Sequence, residues 1–329
     1  MPEQNLEAQE KSPQRIFGPV PSRRLGRSLG INNIPPKICS YACIYCQLGN
    51  AIGMTNHRKD FFDPEDLARE VADKVQEIKS NQETLDYLTI VPDGEPTLDQ
   101  NLGRLLDLLK PLGQKLAVIS NASLIHLPEV REDLMRADWV SLKVDSTEEN
   151  IWRSVDRPHG RIHLKQILEG IEIFAREYEG TLVTETMLVQ DINDGSENIK
   201  NVARFLRRIK PTITYLGIPT RPPAEKYVVP PSEEKLNLAF QIFLEADLAV
   251  EYLIGYEGNE FSSTGDIEKD LLSITSVHPM REDAVSALFS RTGEDHSILD
   301  RLIKEEKLAC SIYQGHRYYI RKFKRGRPR

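Results

Sequence analysis

From about residue 60 onward the chain alternates between two hydrophobic periods. Leu67, Val71, Val75 and Ile78 recur at intervals of four and three behind Asp63-Pro64, an N-cap followed by proline at the first helical position. That pattern predicts an amphipathic helix. Leu85–Val91, Lys115–Ser120, Trp139–Val144, Thr181–Leu188, Thr212–Ile218 and Val250–Ile254 are short runs rich in Leu, Ile, Val and Thr and read as buried strands. Helical periods near 102–110, 128–136, 162–178, 196–209 and 232–246 separate them. Strands alternating with helices of about ten residues or more imply βαβ crossovers and a parallel sheet. The fold class is therefore α/β. Roughly six or seven strands, counting one that leads into a group of cysteines, suit an open doubly wound sheet or a partial barrel, and periodicity does not choose between them.

The proline-rich stretch from Ile218 to Pro231 cannot be regular sheet, because each proline lacks a ladder donor, and reads as a loop at the C-terminal end of a strand. A second unit begins near residue 266. Helical segments at 267–275, 280–290 and 296–306 precede Leu308–Tyr313, a Gln314-Gly315 turn and His316–Lys322. Three helices and a basic hairpin predict a winged helix, with 296–306 in the recognition position. The pattern divides the chain into a flexible N-terminal segment (1–16), a barrel-type unit (17–260), a winged-helix unit (266–323) and a basic tail (324–329).

Composition narrows the class. With 329 residues, 40% hydrophobic and 28% charged, the chain is neither collagen-like nor of low complexity, and it is long enough for two cores. A polar N-terminus without an apolar signal core, and no long apolar run, predict a cytoplasmic protein. The net charge of −7 hides an asymmetry: residues 312–329 hold seven Lys and Arg and no Asp or Glu. A basic tail on an acidic body suggests a polyanionic partner, although a solvated tail has the same composition.

Only four cysteines are present, and three are clustered. Cys39, Cys43 and Cys46 have a C-x3-C-x2-C spacing. Three thiolates on one short loop can wrap a [4Fe–4S] cube and leave one iron without a protein ligand. Structural zinc normally takes a fourth protein ligand, and none stands at zinc-finger spacing; inert buried thiols are the other competing reading.

These cysteines, with Tyr45 just before the third, resemble the motif of the radical S-adenosylmethionine (SAM) superfamily. The resemblance implies a partial (β/α)6 barrel related to the TIM barrel. It also implies one [4Fe–4S] cluster on Cys39, Cys43 and Cys46, whose open iron is chelated by the amino and carboxylate groups of SAM. Reductive cleavage of SAM would then yield a 5′-deoxyadenosyl radical that abstracts hydrogen from a substrate. Pro92-Asp-Gly-Glu-Pro96 resembles the family's Gly-Gly-Glu-Pro motif, so that Gly94, Glu95 and Pro96 are expected at the SAM ammonium, with Asp93 replacing the first glycine. Asn121, after the next strand, is expected near the SAM carboxylate or ribose. Ser141, Lys143 and Asp145 alternate along one strand and share a face, which suggests SAM ribose or substrate contact or else an interior salt bridge. Glu185, flanked by Thr184 and Thr186, invites the same ligand reading, with residues merely exposed at a strand end as the alternative.

Phe17–Ile31 reads as a glycine-rich loop that sets Arg23, Arg24 and Arg27 among glycines, prolines and serines, suited to an anionic ligand or to ordinary solvation. With Cys46-Gln-Leu-Gly49 and Thr220-Arg221-Pro-Pro, this block resembles a subgroup of radical SAM Fe–S oxidoreductases related to wybutosine synthases. Only Cys310 remains for a second cluster, which one thiol cannot hold. The expected function is a single-cluster radical SAM enzyme, fed electrons by a reductant such as flavodoxin or ferredoxin. Its winged helix would present RNA, with Tyr318 and Tyr319 stacking on bases or packing on their own core. A peptide or protein substrate is the alternative, and a DNA-binding Fe–S redox sensor the rival from another class.

Overall fold

The computed structural model describes residues 15–49, 51–253, 266–277, 279–293 and 297–322. The expected flexible segment, apart from its last two residues, and the basic tail lie outside them. The first unit begins with β1 (Ile16–Ser22), β2 (Gly26–Ile31), β3 (Ile38–Cys39), β4 (Gly53–Met54) and α1 (Pro64–Ser80). It continues with β5 (Tyr87–Ile90), α2 (Leu102–Leu109), β6 (Lys115–Ser120), α3 (Pro128–Leu134), β7 (Trp139–Lys143), α4 (Glu149–Asp156) and α5 (Leu164–Glu177). β8 (Thr181–Met187), α6 (Ser196–Ile209), β9 (Ile213–Gly217), α7 (Glu233–Glu245) and β10 (Val250–Leu253) complete it.

The main sheet runs β1-β2-β5-β6-β7-β8-β9-β10 and curls into a half-barrel. The β1–β2 pair is antiparallel and every later pair is parallel. Alternation along the strands explains its two faces. Leu88, Ile90, Leu116, Val118, Val140, Leu142, Val144, Leu182 and Leu216 join the large apolar cluster with the covering helices, including Leu67 and Val71 of α1 and Phe174 of α5. Ala117, Trp139, Val183 and Tyr215 turn inward with Leu25. Arg24 lies over the rings of Trp139 and Tyr215, at 5.8 and 5.7 Å, so the N-terminal end of the half-barrel is filled. The inward face turns polar toward the C-terminal end.

Two segments of this first unit depart from the sequence reading. Phe17–Ile31, expected as a glycine-rich loop, is the β1–β2 hairpin; its prolines are tolerated because β1 is the edge strand. Gly30 is required there, since a Cβ would lie 2.0 Å from the Phe17 ring. The helix α4 was hidden by its short, charged sequence.

The second unit contains α8 (Ile267–Val277), β11 (Met280–Arg281), α9 (Glu282–Thr292), α10 (Ser297–Lys304), β12 (Leu308–Tyr313) and β13 (His316–Arg321). Its antiparallel sheet has the order β11-β13-β12, and Leu271, Met280, Leu288, Phe289, Leu302 and Tyr319 belong to a separate core. α8 packs on β1, whose Val20 joins that core. Tyr313 Oη donates to the Pro219 carbonyl (2.8 Å) and Tyr318 Oη to that of Thr220 (3.1 Å). Both Tyr318 and Tyr319 are buried. The base-stacking role considered for them is thereby replaced by packing and docking. Among the described residues no helix is long and apolar enough to cross a membrane.

We predict that Val20→Asp, which forces a carboxylate into the shared apolar contact, destabilises the protein by roughly 1–3 kcal/mol. A denaturant melt would show it, with residues 266–322 becoming protease-sensitive first; an unchanged midpoint would disprove the docking contact.

Candidate functional site

The cysteine loop starts where β2 ends and is fastened from below. Ala42 N donates to Asp156 O (3.1 Å), Ile44 N to Val155 O (3.0 Å) and His159 N to Ser40 O (2.9 Å), so the end of α4 serves as its template. Ile44 is fully buried with Val155, Val189 and Val228. Tyr41 meets Trp152 edge to face at 5.9 Å. These anchors leave Cys39, Cys43 and Cys46 partly exposed and unbonded to one another. Tyr41 N and Asn121 Nδ2 both approach Cys39 Sγ, at 3.5 and 3.6 Å. Cys43 Sγ lies 3.3 Å from Asp156 Oδ1. Burial pushes the Cys39 thiol up to about 12 and raises those of Cys43 and Cys46 as well. A metal taking them as thiolates must displace protons. Among the described residues no three His, Cys, Asp or Glu side chains gather around one point as a single metal ion requires.

The Asp93-Gly94-Glu95 turn is locked to the strand that carries Cys39. Lys37 N donates to Asp93 O (2.6 Å) and Glu95 N to Ile38 O (3.2 Å). A Cβ on Gly94 would lie 1.9 Å from the Ile38 carbonyl oxygen, so only glycine admits this approach. Glu95 caps the short 3-10 turn Pro96–Leu98. Its Oε1 accepts from Thr97 N, Thr97 Oγ1 and Ser120 Oγ, and its Oε2 from Asn121 N (2.7 Å). Burial raises the Glu95 carboxyl although these donors oppose it. Asn121 therefore joins the glutamate turn to Cys39.

Ser141, Lys143 and Asp145 do share the inward face, opposite Leu142 and Val144. Lys143 Nζ bonds Glu185 Oε1 (3.0 Å) and Arg24 Nη1 bonds Glu185 Oε2 (2.8 Å), giving a part-buried cation–anion–cation network. Burial alone would raise Glu185, but Lys143 and Arg24 hold it down at about 2. Desolvation opposes the Lys143 charge, and Glu185 and Asp145 outweigh it, so its ammonium is stabilised. Lys143 also stands 5.0 Å over the Tyr45 ring. Tyr45 Oη bonds both Asp145 and Asp156, and Asp145 Oδ1 accepts from Met187 N (2.7 Å). Burial, then mutual repulsion, raises Asp156, and burial raises Asp145.

The structure thus brings together the cysteines, Tyr45, Gly94, Glu95, Pro96, Asn121, Lys143 and Asp145. Arg221 also reaches the loop, bonding Gln47 Oε1 at 2.7 Å. It does not bring Arg23 or Arg27 there: they lie by the turn into β2, at the opposite strand end, where Arg27 pairs with Glu83 at 2.5 Å. Arg24 enters the site's network from that end, through Glu185. Sequence reading missed Asp156 and Ser123; the latter bonds Ser40 Oγ at 2.6 Å. No spacing rule could link Asp156 to Cys43 across a helix that the pattern did not reveal.

Two predictions follow from this geometry. Gly94→Ala should cost roughly 1–3 kcal/mol of stability and lower iron retention after reconstitution, because the Cys39 strand must move; unaltered iron content would contradict the coupling. Glu185→Gln should destabilise by roughly 1–3 kcal/mol at neutral pH, because two part-buried cations lose their anion. Glu185 has a depressed folded value, so its stabilisation is present above the ordinary 4.5 and is lost as pH falls toward about 2. The wild-type advantage should shrink across that window in urea melts; a pH-independent difference would contradict the pairing.

Comparison with known proteins places this arrangement. The radical SAM superfamily pattern matches residues 33–219. The chain is 44% identical over 310 residues to the UPF0026 protein MJ1312 of Methanocaldococcus jannaschii, covering 94% of this chain and 96% of that protein. Its fold is similar to the wybutosine synthase TYW1 with a lysine-pyruvate adduct bound (TM-score 0.51, 17% identity, 67% and 74% of the two chains). It is also similar to Streptococcus suis SuiB bound to precursor peptide SuiA (TM-score 0.52, 14% identity, 68% and 48%). With a partial-barrel fold, a matching pattern over most of that barrel and a close full-length relative, the chain belongs to the radical SAM superfamily of enzymes.

Proposed function

We propose that the chain is a single-cluster radical SAM enzyme. Cys39, Cys43 and Cys46 would hold one [4Fe–4S] cluster, and Gly94, Glu95, Pro96, Asn121 and Tyr45 would line the SAM side of it. The observation that carries this reading is the lock between Ile38-Cys39 and Asp93-Gly94-Glu95, which sets a thiol ligand and a carboxylate turn side by side. The donor set suits the group. Three thiols stand on one loop, Cys39 receives N–H contacts, and the Lys143 ammonium partly offsets the burial that raises the Cys43 and Cys46 thiols. When bound, cluster and SAM together supply a hydrogen-abstracting carbon radical.

This chain's own residues do the rest. Burial of Ile44, Tyr41 and Trp152 keeps the floor dry, and Asn121 orients Cys39 relative to Glu95. Lys143, Glu185 and Arg24 fix charge on the inner wall, where Ser141 and Asp145 would face the SAM ribose or the substrate. Arg221, beside Gln47, offers a cation to an anionic substrate group at the mouth.

The second unit is read as a winged helix with α10 in the recognition position, since helices and strands follow in that order. RNA is the proposed substrate class, on the basic composition of residues 312–329. Flavodoxin or ferredoxin would be the electron donor. A redox-sensor role finds no use for the Glu95 turn or for Asn121.

Anaerobic reconstitution followed by dithionite and SAM should release 5′-deoxyadenosine, and Cys43→Ala should lose the cluster absorbance and at least about tenfold of that release. An intact cluster without any SAM cleavage would overturn the enzyme reading. A crosslinking comparison between RNA and peptide pools would decide the substrate class.

A further inference from the structure

Asp93 stands where the resembled motif has glycine, and its surroundings are unusual. Both carboxylate oxygens are buried, and neither has a hydrogen-bond partner among the described residues. Its backbone is fully engaged, with N donating to Asn32 Oδ1 (3.2 Å) and O accepting from Lys37 N. Burying a carboxylate without partners is unfavourable unless a cationic donor completes it. Lys37 and Cys46 are the titratable groups that sense it, which sets it on the cysteine side of the turn. Burial pushes its carboxyl up to about 8 even with Lys37 opposing.

Its neighbour explains the need. Glu95 Oε1 already accepts three hydrogen bonds and Oε2 one, leaving the glutamate little capacity for an incoming ammonium. An ammonium carries three donors and seeks three acceptors. We propose that the Asp93 carboxylate is a second clamp for the amino group of SAM, supplying the acceptors that Glu95 has spent on Thr97, Ser120 and Asn121. This rests on the reading of the chain as a SAM-binding enzyme. Asp93 acts here as a binding residue, with no part in bond making.

The test compares SAM with its desamino analogue, in which hydrogen replaces the amino group, on anaerobically reconstituted wild type and Asp93→Asn. Binding is read by equilibrium dialysis and by the change SAM causes in the spin-resonance signal of the reduced cluster. Wild type should prefer SAM by about tenfold or more, the size of a charge-assisted hydrogen bond, and Asp93→Asn should lose most of that preference at equal iron per chain. The metal-free variant should melt at a higher temperature than metal-free wild type, since the unpartnered carboxylate is gone. An unchanged preference, a loss of iron, or a lower melting temperature in the variant would each overturn the clamp. Failure of wild type to bind either compound would instead overturn the SAM-enzyme reading itself, and the clamp with it.

Discussion

The site depends on one close approach, the contact of Gly94 with the Ile38 carbonyl. Two segments more than fifty residues apart share a short ladder there, through Lys37 N to Asp93 O and Glu95 N to Ile38 O. The carbonyl occupies the space that any side chain on residue 94 would need. Because Ile38 precedes Cys39, the position of the first thiol and the direction of Glu95 are settled together. Asn121 then ties both to β6, donating its backbone N–H to Glu95 and its amide to Cys39. Loops usually move more than the elements they join, and this fastening is what lets a loop carry three thiols at fixed separation.

Charge inside the half-barrel is arranged in layers. An aromatic floor of Trp139 and Tyr215, covered by Arg24, excludes water from the N-terminal end. Above it Glu185 is shared by Arg24 and Lys143, and higher still Asp145 and Asp156 converge on Tyr45. The order matters electrostatically. A buried carboxylate between two cations stays ionised, whereas two carboxylates sharing one phenol repel each other and rise. Burial and then the Asp156 carboxylate raise the Cys43 thiol, and Lys143 on the inner wall opposes that rise only in part. The alternatives left open for Lys143, ligand contact and interior salt bridge, are compatible in such a network, because Lys143 both pairs with Glu185 and faces Tyr45.

Much of this was legible in the sequence where local pattern and final environment agree. β6 and α6 occupy the predicted spans because their apolar period is also their burial pattern. The cysteine spacing, the Gly-Glu-Pro turn and the inward alternation of Ser141, Lys143 and Asp145 were readable for the same reason. The β1–β2 hairpin was not, since Pro19, Pro21 and three glycines argue locally for loop, and only its place at the sheet edge makes them acceptable. Arg24 looked like one of three equivalent surface arginines. Tertiary folding separates them, sending Arg24 to Glu185 while Arg27 turns to Glu83. Such distinctions depend on long-range partners that no window of sequence contains.

The second unit constrains how a substrate can be met. It contacts β1, the edge strand at one side of the half-barrel, and also the loop after β9, near the other side. A unit held at both places cannot swing as a tethered arm without breaking apolar and hydrogen-bonded contacts together. Its described cations are mostly spent within it: Arg317 pairs with Glu282, Lys322 with Glu306, and Lys307 and Arg301 with Glu268. Paired surface charges attract a polyanion weakly, because each brings its own counter-charge. If a nucleic acid is bound, the paired cations of this unit are a weak anchor, and Arg221 at the mouth is a described cation that links the Thr220 docking point to Gln47 and so to the cysteine loop. The docked unit would then act by geometry, fixing one wall of the entrance.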